Sequence, residues 1–171
     1  MIHSFIRLQT QTMKLQHLIT ADRIRLDVKV ETAEMAIEYM VSVLAESNSI
    51  QDASDITEKV LKREHQVGTG IGYGVAIPHA DPGPYGEPQI VMARTEQPID
   101  FHAPDGTMAQ LIFLLLTPDE TPALHVRLLA RICRLTKSET VRKQLLNAKN
   151  SKDAAKKITN QKKIFRSFQH E

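Results

Sequence analysis

A chain of 171 residues with 42% hydrophobic and 25% charged residues has the size and balance of one ordinary soluble domain, which excludes disorder as its default state. Its longest unbroken apolar run, Leu111 to Leu116, is far short of the roughly 20 residues of a membrane-spanning helix, and residues 1–12 lack the apolar stretch and cleavage signal of a secretory leader. The single cysteine, Cys133, excludes an internal disulfide or a site built from several thiolates, and a reducing, cytoplasmic location is expected.

Met13 followed by Lys14 offers a second start, so residues 1–12 are set aside as an N-terminal extension and residues 13–150 are expected to form one domain. Ile24, Leu26, Val28 and Val30 alternate with Arg25, Asp27 and Lys29, the period of a half-buried strand. Thr32 then opens a helix to about Ser47, with Met35, Ala36, Tyr39, Met40, Val43 and Leu44 on one stripe. Asp55, with Glu58 three residues later, reads as the N-cap of a second helix in which Ile56, Val60 and Leu61 face inward as far as His65. Gly68, Gly70, Gly72 and Gly74 stop that helix and predict a loop leading to a short strand, Val75 to Ile77. Pro78 closes the strand, which leaves His79 where a buried strand emerges. Pro82, Gly83, Pro84, Gly86 and Pro88 make the next segment a turn-rich loop.

Gln89 to Thr95 and Ala109 to Leu116 both read as strands, the second apolar enough to be covered on both faces, with a turn at Pro104-Asp105-Gly106 between them. Pro118 ends the second strand. Thr121 is placed to cap the following helix, and Pro122 suits its first position, where an N–H would have no partner. This helix should run to about Leu135 and bury Leu124, Leu128, Leu129 and Ile132, with Cys133 inside the same apolar pattern and therefore in the core. Ser138 caps another helix carrying Val141, Leu145 and Leu146. From Arg142 to Glu171 there are nine Lys or Arg against two acids, so the formal charge of +2 hides an acidic body. Residues 151–171 read as a solvated, partly helical basic tail. Only Phe165 and Phe168 could stack on bases there, so nucleic acid is not an expected partner. Helices alternating with strands give an α/β sandwich.

The glycine stretch is the first candidate for chemistry, because closely spaced glycines let backbone N–H groups approach an anion. It matches neither the dinucleotide fingerprint, which lies between a strand and a helix, nor the nucleotide P-loop, since no Lys occurs between Lys62 and Lys137. Anion binding and a tight approach to the strand remain equal alternatives. Seven histidines are present, but no His-x-x-x-His or His-Glu-x-x-His pair, which disfavours zinc and the metal-dependent hydrolase it would imply. His79 stands apart, because a glycine loop, an apolar strand and a proline fix it at the carboxyl edge of a sheet, where α/β folds keep their ligands. His125, in the first turn of the next helix, either leans toward that edge or is a packing residue. Arg63 is either an ordinary cation at a helix C-terminus or a guanidinium for the same site. Two histidines and an arginine suit reversible phosphoryl transfer onto an imidazole, since a neutral ring is nucleophilic near pH 7 and the phosphoryl oxygens need cationic and N–H donors.

The string Arg63-Glu64, then Gly68-Thr69-Gly70-Ile71-Gly72-Tyr73-Gly74-Val75-Ala76-Ile77-Pro78-His79-Ala80, resembles the active-site region of enzyme IIA of the bacterial sugar phosphotransferase system, fructose–mannitol type. The likeness continues through Pro98-Ile99-Asp100-Phe101, Ala103-Pro104-Asp105-Gly106, the strand Leu111 to Leu116 with Pro118, and the helix from His125 to Leu135. The resemblance implies a single-domain α/β fold, a mixed sheet flanked by helices on both sides. It implies that His79 is the phosphorylated histidine, that His125 contacts the phosphoryl group and that Arg63 neighbours it, with no cofactor or metal. It implies as partners a histidine-containing phosphocarrier protein and a IIB domain whose cysteine receives the phosphate; Cys133 is not that cysteine. Nitrogen-related regulatory IIA proteins share the same site, so transport and regulation both remain open.

Overall fold

Eight consecutive residues, Ala109–Leu116, form β5, the middle strand of a five-stranded sheet in the computed structural model, which describes residues 15–119 and 122–161. The expected extension 1–12, the expected cap Thr121, and Phe165 and Phe168 of the tail lie outside the described residues. The other strands are β1 (Ile24–Val28), β2 (Gly70–Gly72), β3 (Val75–Ala76) and β4 (Gln89–Ile99), in the order β1-β4-β5-β3-β2. β1 is parallel to β4 and β3 to β5, whereas β4 with β5 and β2 with β3 are antiparallel, so the sheet is mixed.

Because side chains alternate along a strand, the apolar run of β5 supplies both faces. Leu111, Phe113 and Leu115 enter one core with Ile90 and Met92 of β4; Ile112, Leu114 and Leu116 enter the other with Val91 and Ala93. The second core is covered by α2 (Ala33–Glu46) and α3 (Ala53–Gln66). The first is covered by α1 (Leu15–Leu18), α4 (Pro122–Lys137), α5 (Glu139–Leu146) and α6 (Ser151–Thr159). A mixed sheet with helices on both sides is the expected fold.

Local differences from the sequence reading have physical causes. Asp52, not Asp55, caps α3, accepting the Asp55 N–H at 2.9 Å, which leaves the Asp55 carboxylate in the first turn paired with Lys59 at 2.6 Å. α2 buries Ile37 and Val41 with Ala36, Met40, Val43 and Leu44 of the expected stripe, half-buries Tyr39 and leaves Met35 43% exposed, because it packs on the sheet and on α3 at once. The glycine segment is not only a loop: Gly70–Gly72 pairs with β3 as a short strand. β4 runs past Thr95 to Ile99, with its register broken between Arg94 and Ile99, so Pro98 costs no ladder bond in regular pairing. Cys133 is exposed rather than in the core; the buried apolar positions of α4 are Leu124, Leu128, Ile132 and Leu135, and residue 133 is turned about 100° away from Ile132. The beginning of the basic tail is helical, as expected, and packed: Ala154 and Ile158 of α6 are fully buried.

Candidate functional site

Since β3 and β5 are parallel, both release the chain at the same sheet edge. The segment after β3 stays attached there: the Leu115 N–H donates to the Pro78 carbonyl at 3.0 Å and His79 is bridged to Leu115. Thr117 follows β5 directly, and α4 begins at Pro122, which puts His125 in its first turn. These connections bring His79 and His125 together, ring centroids 5.4 Å apart and planes tilted by 57°. His79 is partly exposed at the rim, and His125 is buried behind it.

Hydrogen bonds fix both rings. His79 Nδ1 lies 2.8 Å from the Ile77 carbonyl oxygen. A carbonyl only accepts, so the proton is assigned to Nδ1, and Nε2 keeps its lone pair. His125 Nδ1 lies 2.7 Å from the hydroxyl of Thr117, which is fully buried. A buried hydroxyl proton needs an acceptor, and Nδ1 is the partner given to it among the described residues. With the O–H as donor, the proton of His125 is assigned to Nε2, which becomes an N–H donor. One ring thus offers a lone pair and its neighbour an N–H.

Arg63 sits in the last turn of α3, where its Nη1 donates to the Val67 carbonyl at 3.0 Å, and its charge acts on both imidazoles. Burial, foremost, and then Arg63 push the His79 pKa below the ordinary imidazole value, against the Ile77 hydrogen bond and the charges of Asp81 and Glu64. Burial also lowers the pKa of His125, followed by His79 and then Arg63, with Asp81 opposing. Both rings are therefore neutral at pH 7, the state a nucleophilic imidazole needs.

Gly68 and Gly70 serve close packing. A Cβ on Gly68 would lie 2.5 Å from the Cβ of His102, and one on Gly70 2.8 Å from the Cβ and backbone nitrogen of Ala103. The Gly70 N–H donates to Phe101 O, the Tyr73 N–H to Asp105 and the Gly74 N–H to Thr107, so these donors are already used. Of the other histidines, His65 pairs with Glu34 and His102 with Asp100, both exposed. Among the described residues no group of three or more His, Cys, Asp or Glu is arranged to hold a metal ion. The sequence reading assigned no role to Thr117 or to the Glu64 carboxylate, which accepts the Thr69 N–H. A threonine just before the proline that ends a buried strand was the available signal for the first; the polar residue beside Arg63 gave none for the second.

Residues 17–161 match the profile of a family described as "Phosphoenolpyruvate-dependent sugar phosphotransferase system, EIIA 2". The chain is 36% identical over 149 residues to a PTS system fructose-specific EIIABC component of Bacillus subtilis, covering 87% of this chain and 23% of that protein. It is 35% identical over 133 residues to a nitrogen regulatory protein of Bradyrhizobium diazoefficiens, covering 78% of this chain and 86% of that one. Among solved structures, nitrogen regulatory protein IIA-Ntr from Neisseria meningitidis superposes with a TM-score of 0.77 at 27% identity, covering 84% of this chain and 98% of that one.

Proposed function

We propose, from the premise that this chain belongs to the phosphoenolpyruvate-dependent sugar phosphotransferase system EIIA 2 family, that His79 accepts a phosphoryl group from a histidine-containing phosphocarrier protein and hands it to a IIB domain for sugar uptake. A phosphorelay role comes with that family. The observation that carries the assignment to His79 is its Nδ1–H bond to Ile77, which turns an unprotonated Nε2 to the rim beside His125.

In the acceptance step the Nε2 lone pair attacks phosphorus, a P–N bond forms, and the P–N bond to the donor imidazole breaks with its electron pair returning to that ring. The Nδ1–H stays on the Ile77 carbonyl, which takes up part of the positive charge of the phosphorylated ring. The Nε2–H of His125 and the guanidinium of Arg63 donate to the phosphoryl oxygens. In the onward step a partner thiolate forms the P–S bond and the electron pair of the broken P–N bond returns to His79 Nε2.

Incubation with phosphoenolpyruvate and the general phosphotransferase proteins tests this. His79→Ala should take up no label; His125→Ala should still be labelled, about 100-fold more slowly, because only one imidazole makes the covalent bond. Labelled His79→Ala protein would move the site elsewhere. A second reading, regulation through the same phosphohistidine, is favoured by the likeness to the two nitrogen regulatory proteins. Transfer to a sugar-linked IIB domain supports the first reading; stable phosphorylation with no IIB acceptor supports the second.

A further inference from the structure

Glu64 is 3% exposed and lies in the last turn of α3. Helix C-termini present carbonyl oxygens, so a structural cap there calls for a donor, and a buried carboxylate is placed at a cost. The carboxylate oxygens accept the Thr69 N–H at 3.1 and 3.2 Å, and one of them also accepts the Thr69 hydroxyl. The carbonyl of Thr69 accepts the Ile77 N–H at 3.0 Å, and the carbonyl of Ile77 accepts the His79 Nδ1–H at 2.8 Å. Hydrogen bonds thus tie Glu64 to Thr69, Thr69 to Ile77 and Ile77 to the ring, joined through the backbone of Thr69 and of Ile77. The N–H and C=O of one residue belong to different peptide groups, so the coupling is positional: holding Thr69 in place holds Ile77 and the direction of its carbonyl.

We propose that Glu64 is a positioning residue for His79, acting through Thr69 and the Ile77 carbonyl to hold the imidazole in the Nδ1–H form that presents Nε2 to the phosphoryl donor; this rests on His79 being the acceptor. These bonds fix the carbonyl that pins Nδ1, and their anionic end opposes Arg63, the neighbouring residue on the same helix. The charged and titratable groups facing His79 are Arg63 and Glu64 from α3, Asp81 from the following loop and His125 from α4. Glu64 is the buried carboxylate among them.

Glu64→Gln keeps the shape and one oxygen for the Thr69 N–H while removing the charge. In the full chain labelled with 15N-histidine, NMR should show His79 as the Nδ1–H form in the parent. In Glu64→Gln the Nε2–H form should grow and the ring should titrate at lower pH. Single-turnover acceptance from the phosphorylated carrier should fall about tenfold with the donor's KM unchanged, as for a misplaced reacting group. Thr69→Val should show the same pattern and Thr69→Ser should restore the parent behaviour, a comparison that decides the matter if Glu64→Gln fails to fold. Parent-like ring populations, titration and rate in both Glu64→Gln and Thr69→Val would overturn the proposal and leave Glu64 a local cap. The NMR measurements need no phosphoryl donor, so loss of the functional reading, seen as an unlabelled parent, is separable from loss of the link.

Discussion

In the proposed relay, acceptance depends on His79 remaining neutral, and burial works in that direction at both His79 and His125. Because the pKa of His79 lies below that of a free imidazole, about 6.5, the acceptance rate should stay level as pH falls to that value and decline only below it, measurable as a pH–rate profile with an acid-stable carrier. Stability follows the same sign. The unfolded chain binds protons at these positions before the folded one does, so their contribution is whole above about pH 6.5 and is lost as pH falls through the folded values. Replacing His125 by Phe should therefore flatten the acid side of a denaturation–pH series. Thr117→Val leaves Nδ1 of His125 buried without its partner, an expected loss of about 1–3 kcal/mol in chemical denaturation; it should also slow transfer, with Thr117→Ser retaining most of the rate. The two histidines were legible in the sequence because strand, proline and helix boundaries placed each near a sheet edge. Their tautomers were not, because those are set by a carbonyl and a hydroxyl whose direction only the folded backbone supplies.

Among the elements, α5 packs on the sheet through Val141 and Leu145, and one polar side chain ties its end to β4. Arg94, 8% exposed on β4, donates from Nη1 to the carbonyls of Leu145, Leu146 and Ala148 at 3.2, 2.8 and 2.9 Å, and from Nη2 to Asp27 at 2.7 Å. The guanidinium fork satisfies the C-terminal carbonyls of α5, a role the strand pattern of β4 could not reveal, since the acceptors lie far along the chain. Arg94→Met should cost about 3 kcal/mol in equilibrium unfolding, whereas Asp27→Asn, at a carboxylate 71% exposed, should cost less than about 1 kcal/mol. The β2–β3 hairpin makes a similar contrast among glycines. Gly70→Ala drives a Cβ against the backbone of Ala103 and the Phe101 carbonyl, so a loss of about 1–3 kcal/mol is expected. It should also slow acceptance, because Thr69 is its neighbour. Gly86, at φ +72° with open space around it, should lose only about 1–2 kcal/mol as Ala, with acceptance unchanged. Alternating glycines announced a special backbone; that two of them answer to the segment at 101–103 is a long-range fact with no local trace.

For the whole molecule, the sequence reading recovered the two-sided sandwich because β5 is apolar at every position but Gln110, which requires a layer of helices on each face. The Lys-rich composition of α6 hid Ala154 and Ile158, which are buried at helical spacing. Ile158→Ala should cost about 2–4 kcal/mol by cavity formation in a thermal or denaturant melt. No helix among the described residues is long and apolar enough to cross a membrane. The Pro78 carbonyl receives the amide of Leu115, on the strand flanked by paired neighbours on either side. That amide should exchange with deuterium only when the entire protein opens. In the proposed relay, the receiving His79 is therefore held still beside that strand. On that proposal the adjustment for the handover is expected of the visiting protein, and tightening this one further should leave the speed of transfer untouched.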